Sequence, residues 1–323
     1  MVGRIDLLVI VLVFMIGSNH CFLFTKEKVD CQLSQWSEWS EVYGFGARSK
    51  ERVILRYPDN GGKPCPTDTD ITEYTSRKPT IQSTANTVIT SFLQKKLMRN
   101  PSSSPGTVKA KVPGDFRDLL IILDSSGSIN SRNFKIVKEQ LSELLGLLCP
   151  STDPFISNKR TVYNRAALIQ YSNNVVEEFD FNDNHNLAEL KAAIQSVPYQ
   201  GGSTCTGDAF YKAIQMFTSS KGMRQGTKHE VLILTDGQSN CGRPVSSVLP
   251  MLKEKATVFG LMIGGHSDNG KAELTSYVSQ PKPDHLFAVD NFQVLKDLLK
   301  EIKKRIDKTN PCAPFELSKN NTI

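Results

Sequence analysis

DLLIILDSSGSIN, residues 118–130, decides the fold. An unbroken apolar run ends abruptly at Asp124, and Ser126 and Ser128 follow at alternate positions around Gly127. A run with no polar alternation is what a strand covered on both faces requires, and such strands belong to mostly parallel sheets packed between helices. In an open sheet of that kind ligands gather outside the carboxyl ends of the strands, where Asp124 stands.

Outward from this stretch, apolar strands alternate with amphipathic helices from Asp115 towards the C-terminus. Strands are expected at Asp118–Asp124, Thr161–Ser172, Val175–Phe181, His229–Thr235, Thr257–Ile263 and His285–Ala288. Helices are expected at Ser131–Leu148, Leu187–Ser196, Gly207–Phe217, Val245–Lys253, Lys271–Val278 and Phe292–Ile306. The pattern is that of an α/β fold, a doubly wound and mostly parallel sheet covered on both faces. The short turn Ser172-Asn173-Asn174 joins two strands as a hairpin does, so one edge should be antiparallel.

This topology brings three distant segments to one rim. Asp124, Ser126 and Ser128 come from the first, Thr204 or Thr206 from YQGGSTCTGDAF (199–210), and Asp236 from LTDGQSN (234–240). Every candidate ligand atom is an oxygen, the preference of hard cations such as Mg²⁺. Two carboxylates balance the charge, and neutral hydroxyls fill positions without excess negative charge. Gly127 lets the first loop bend. Taken singly, each segment also reads as ordinary capping or turn chemistry.

Upstream, the 323-residue chain opens with Arg4 and the apolar stretch LLVIVLVFMIG, followed by small or polar residues. This reads as a secretory signal over residues 1–21, with a signal anchor as the alternative. No later segment is long and apolar enough to span a bilayer. Cys21 lies at the edge of the signal, which leaves an even set of Cys31, Cys65, Cys149, Cys205, Cys241 and Cys312, as suits an oxidising compartment. Residues 30–78 are turn-rich and 79–114 are expected to be a linker, because NPSSSPG breaks both helix and strand periods. ITSFLQKKLM within it has room for a helical turn or two. Residues 311–323 form a tail whose Asn320-Asn321-Thr322 is a glycosylation acceptor at Asn320. The net charge of +6 is concentrated in local runs such as QKKLMR, without the aromatic interleaving of nucleic-acid binders.

The segment from about Asp115 to Lys308 resembles a von Willebrand factor type A domain, placed at 115–310. DSSGS matches that family's D-x-S-x-S, GGSTCTGDAF is similar to its threonine loop and LTDGQSN to its distal aspartate loop. The resemblance implies a metal-ion-dependent adhesion site with Asp124, Ser126, Ser128, Thr204 and Asp236 as ligands. It implies Mg²⁺, with Mn²⁺ or Ca²⁺ as alternatives, and a coordination position completed by an Asp or Glu of an extracellular protein partner. Two departures stand out. Cys205 lies inside the threonine loop and Cys241 just after the distal aspartate loop, on one rim, so they are expected to pair. Cys149 and Cys312 fall at the opposite end and are also expected to pair, which would restrain the last helix and hold the domain in one affinity state.

DCQLSQWSEWSEVYGFGARSKERVILRYPDNGGKPCP (30–66) resembles a degenerate thrombospondin type 1 repeat, carried by Trp36 and Trp39, by Arg48, Arg52 and Arg56, and by GGKPCP. Of that family's usual six cysteines Cys31 and Cys65 remain and are expected to pair. Arginines on a strand can stack against indole rings, each exposed contact contributing about 0.5–1 kcal/mol. Trp36 is a candidate for C-mannosylation, and the three arginines for sulfated-glycan contacts. No G-x-S-x-G, H-E-x-x-H or Walker-type loop occurs, and no base can be named for a serine nucleophile, which argues against an enzyme. The domain combination is similar to that of invertebrate matrix and adhesion proteins. A secreted matrix protein binding a partner through the metal is expected. The alternative is a structural component assembling with collagen-like or identical chains, the metal being incidental.

Overall fold

The computed structural model describes residues 27–93, 117–148, 164–183, 187–264 and 268–306. The expected signal segment, the Cys149–Cys312 pair, Asn320 and the tail lie outside these residues.

A six-stranded sheet organises the larger unit. Its strands are β5 (Arg117–Asp124), β6 (Arg165–Tyr171), β7 (Val175–Phe179), β8 (Lys228–Thr235), β9 (Thr257–Ile263) and β10 (Leu286–Val289), in the order β10-β9-β8-β5-β6-β7. All neighbours are parallel except β7, which runs antiparallel to β6 at the edge. Alternation along β5 is one of direction rather than polarity. Leu119, Ile121 and Leu123 enter one core and Leu120 and Ile122 the other. Both layers are apolar, so the strand reads as an unbroken apolar run.

The first core is closed by α2 (Asn130–Gly146), α3 (Leu187–Ser196) and α8 (Phe292–Arg305), through side chains such as Phe134, Leu141, Ile194 and Leu299. The second is closed by α4 (Thr206–Met216), α5 (Val245–Lys255) and α6 (Asp268–Tyr277), through Phe210, Ala213, Leu252 and Leu274. The short α7 (Lys282–His285) precedes β10. Among the described residues no helix is long and apolar enough to cross a membrane.

Two boundaries differ from the expectation. The linker reading of 79–114 fails over its first part: α1 (Ile81–Thr87) continues as a π-helix (Val88–Leu93) inside the first core. Polar and β-branched residues hide this helix from a propensity reading. Its apolar residues nonetheless recur at helical spacing, and Ala85, Val88, Ile89, Phe92 and Leu93 are all buried. The Thr80 hydroxyl caps the start by accepting from the Ser83 amide at 3.1 Å. At the other end Arg117, only 2% exposed, donates to the Phe92 carbonyl at 2.6 Å, lies 4.7 Å above the Phe92 ring and pairs with buried Glu230.

The stretch 30–78 is likewise not one separate body. Residues 39–49 and those from 72 onward group with the α/β unit, and Tyr43, Phe45 and Ala47 belong to its second core. Residues 27–38 and 50–71 form a small second unit. There β1 (Gln32–Leu33) pairs antiparallel with β3 (Ile54–Arg56), and Cys31 is bonded to Cys65, with Cα atoms 5.0 Å apart. The remaining two-stranded sheet joins β2 (Ala47–Glu51) and β4 (Asp70–Tyr74).

Candidate metal site at the strand ends

Asp124 closes β5 and is fully buried. Its Oδ1 accepts the Ser126 amide at 2.7 Å, a tight turn that closes the strand end. Its Oδ2 accepts the Thr235 hydroxyl at 2.6 Å and faces the Tyr171 hydroxyl at 3.4 Å. The loop then presents two hydroxyls in sequence: Ser126 Oγ lies 3.1 Å from Ser128 Oγ, and Ser128 Oγ donates to Asp236 Oδ1 at 2.7 Å. A continuous line of oxygen therefore runs from the end of β5 to the end of β8.

The loop before α4 is laid against this line by backbone pairing. Gly127 N–H donates to the Gly202 carbonyl at 2.8 Å and Gly201 N–H to the Ser125 carbonyl at 2.9 Å. The approach is close: a Cβ on Gly202, whose φ is +97°, would lie 2.9 Å from the Asn173 side chain. Thr204, nearly buried, is brought to the same space: a Cβ on Gly237 would sit 3.8 Å from both Thr204 Oγ1 and Ser128 Oγ. Thr206 lies beneath instead, fully buried and donating to the Tyr171 hydroxyl at 3.4 Å. Of the two threonines left open by the rim topology, Thr204 is the one beside Ser128.

The electrostatics are those of an anionic pocket. Burial pushes the Asp124 carboxyl from 3.8 up to about 6, against hydrogen bonds from Thr235 and Ser126, with Asp236 adding repulsion. Burial also raises Asp236, opposed by the Ser128 hydrogen bond. Both groups are surrounded by hydroxyls and amides, and no cationic side chain contributes to either shift. Burial raises Tyr171 further, so it remains a neutral hydroxyl at the floor. Among the described residues no three His, Cys, Asp or Glu converge as a metal cluster, and this rim brings together two carboxylates with hydroxyls instead.

The oxygen set fits a small hard cation. Each candidate ligand atom is a carboxylate or hydroxyl oxygen, the donor type that such ions take.

A supporting layer escaped the sequence reading. Asn240 and Thr204 bond reciprocally: Thr204 N–H donates to Asn240 Oδ1 at 2.8 Å, and Asn240 N–H to the Thr204 carbonyl at 3.0 Å. Glu273 on α6 accepts from Ser239 N–H and Gln238 Nε2, each at 3.0 Å, fastening the loop after Asp236. Asn240 lay within the quoted LTDGQSN motif. Glu273, distant in sequence, carried no signal. Cys205 and Cys241 are bonded, with Cα atoms 4.5 Å apart, beside these contacts.

In the small unit, Arg52 lies 4.5 Å and Lys50 5.4 Å from the Trp36 ring centre. Arg48 lies 4.8 Å from the Trp39 ring and pairs with Glu73, both in the larger unit. Arg56 is exposed on β3.

Comparison with known proteins adds a family profile, von Willebrand factor type A domain, matching residues 118–301. Similar proteins include human matrilin-1, 28% identical over 204 residues (62% of this chain and 38% of that one). Mouse integrin alpha-X is 29% identical over 226 residues (67% and 18%). The chain thus spans well under half of either relative. A crystal form of proximal thread matrix protein 1 from the mussel byssus has a TM-score of 0.50 at 24% identity, covering 60% of this chain and 48% of that one. The same mussel protein is known with a zinc-occupied MIDAS motif, at the same TM-score of 0.50 and 24% identity. At that identity the likeness is one of fold.

Proposed function

Since the chain belongs to the von Willebrand factor type A domain family, we propose that it is a secreted matrix or adhesion protein that binds a partner through a divalent cation. Asp124, Ser126, Ser128, Thr204 and Asp236 hold the ion, Mg²⁺ by preference and Mn²⁺ or Ca²⁺ in its place. The ion accepts an Asp or Glu carboxylate of an extracellular protein as a further ligand. The role is binding, not catalysis. One observation carries the reading: two buried or half-buried carboxylates share a rim with hydroxyls, and among the described residues no cationic side chain contributes to the shift of either. A cation satisfies that charge. The related domains in matrilin-1 and the integrin alpha chains support a place outside the cell.

The test is thermal unfolding of the full chain in Mg²⁺ and in chelator, beside Asp124→Ala. A midpoint raised by metal in the wild type alone supports the reading, and equal midpoints throughout reject it. Binding to immobilised matrix proteins, collagen included, should then be lost in chelator.

A second reading, structural assembly with incidental metal, is favoured by Val53, Leu55 and Tyr57. These are 58%, 64% and 72% exposed at alternate positions. Concentration-dependent oligomers that ignore chelator would support it. The exposed arginines, Arg56 above all, are the candidate contacts for a sulfated glycan, and Trp36 remains the candidate for mannosylation.

A further inference from the structure

The Cys205–Cys241 bridge stands at the junction of the two loops that supply Thr204 and Asp236. Thr204 is next to Cys205, and the reciprocal Thr204–Asn240 hydrogen bonds lie one residue from the sulfurs on both strands of the junction. Beyond the bridge the two segments stay in contact. A Cβ on Gly207 would lie 1.9 Å from the Arg243 carbonyl oxygen, and Arg243 pairs with Asp208. Further back, Glu273 holds Ser239 and Gln238. The loop from Asp236 to Arg243 is thus fixed at its strand end, in its middle and at its far end.

Resting on the cation-binding reading above, we propose that this bridge is a specificity device. It ties the Thr204 loop to the loop after Asp236 and resists the outward opening that a larger ion needs. Each Ca–O bond exceeds Mg–O by roughly 0.3–0.5 Å, and Ca²⁺ takes up to eight ligands. To admit it, the oxygens of three loops must move outward together. The first loop is paired to the Gly201–Gly202 backbone, and the other two are covalently joined, so the expansion has no free edge. With the bridge removed, only hydrogen bonds and an ion pair join the Asp236–Arg243 loop to the start of α4, and these yield more readily than a covalent link as the site opens. Mg²⁺ then loses its fixed cage while Ca²⁺, tolerant of irregular ligand positions, gains. The bridge therefore governs the ratio of the two affinities, a quantity that fold stability alone does not set.

The experiment measures Mg²⁺, Mn²⁺ and Ca²⁺ affinities calorimetrically on the full wild-type chain, on Cys205→Ala/Cys241→Ala and on Asn240→Ala, which keeps the bridge and loosens the same junction. The wild type should favour Mg²⁺ and Mn²⁺ over Ca²⁺. The double variant should lower the Mg²⁺-to-Ca²⁺ affinity ratio by about fivefold or more, and Asn240→Ala by a smaller factor in the same direction. An unchanged ratio in the folded variants overturns the inference while leaving the cation reading intact. A wild type that binds none of the three ions overturns both. If the double variant does not fold, Cys205→Ser/Cys241→Ala is read in its place by the same criterion.

Discussion

Asp124→Asn should be more stable than wild type in chelator and lose that lead when metal is added. In the metal-free chain burial raises the Asp124 carboxyl from 3.8 to about 6. A carboxyl raised on folding binds its proton more tightly in the native state. Its contribution is present below pH 3.8 and is lost as pH climbs through about 6. The difference corresponds to about 3 kcal/mol of destabilisation at neutral pH. Asparagine cannot ionise and keeps an oxygen for the Ser126 amide. Its NH₂ can donate to Thr235 Oγ1, which then donates only to the Gly237 carbonyl, 3.2 Å away. Allowing for imperfect exchange, the variant should be more stable than wild type by about 1–3 kcal/mol in chelator at pH 7.5. In Mg²⁺ at a hundredfold excess over Kd the wild type gains about 2.7 kcal/mol, which the variant largely forgoes. The gap therefore closes or reverses. Urea unfolding followed by far-UV circular dichroism reads this well, because the helices at 130–146, 206–216 and 292–305 all belong to the α/β unit. A variant less stable than wild type in chelator, or one with an undiminished Mg²⁺ response, refutes the reasoning.

Other substitutions probe the frame. Phe92→Ala should cost about 3–5 kcal/mol, because its ring is fully buried against Phe259 at 5.0 Å and beneath Arg117. The same measurement on a chain beginning at residue 115 should show a comparable or larger loss. Glu273→Gln should weaken Mg²⁺ binding several-fold while costing about 1 kcal/mol or less, since one oxygen still serves the Ser239 amide; titration and melting compared side by side check it. Gly207→Ala places a methyl against the Arg243 backbone, which cannot swing aside, and should destabilise by about 2 kcal/mol or more in a thermal melt.

The sheet was readable because its strands announce themselves. Buried on both sides, β5 and β8 carry no polar alternation and end at Asp124 and Thr235. The antiparallel edge followed from one short turn. The five oxygen-bearing residues could be drawn to one rim from topology, though choosing Thr204 over Thr206 needed the family resemblance. The helix over 81–93 was read as linker, with room for no more than a turn or two from Ile89, for a physical reason. Its Thr, Ser and Asn residues weaken helix propensity, and its burial depends on Arg117, Phe259 and Phe287, which no local window contains. The reach of Tyr43 and Phe45 into the α/β core was hidden likewise, since Leu286, which packs beside Gly44 between them, lies far along the chain. Glu273 belongs with these: its role arises only when α6 is packed beside the loop after β8.

The central claim is that the strand ends of β5 and β8 hold a divalent ion. Crystals of the full chain grown with Mn²⁺, with diffraction recorded at the manganese absorption edge, test it most directly. The expected result is an anomalous peak enclosed by Asp124, Ser126, Ser128, Thr204 and Asp236, absent from crystals of Asp124→Ala. Full manganese occupancy elsewhere, with nothing between Ser128 and Asp236, would contradict it.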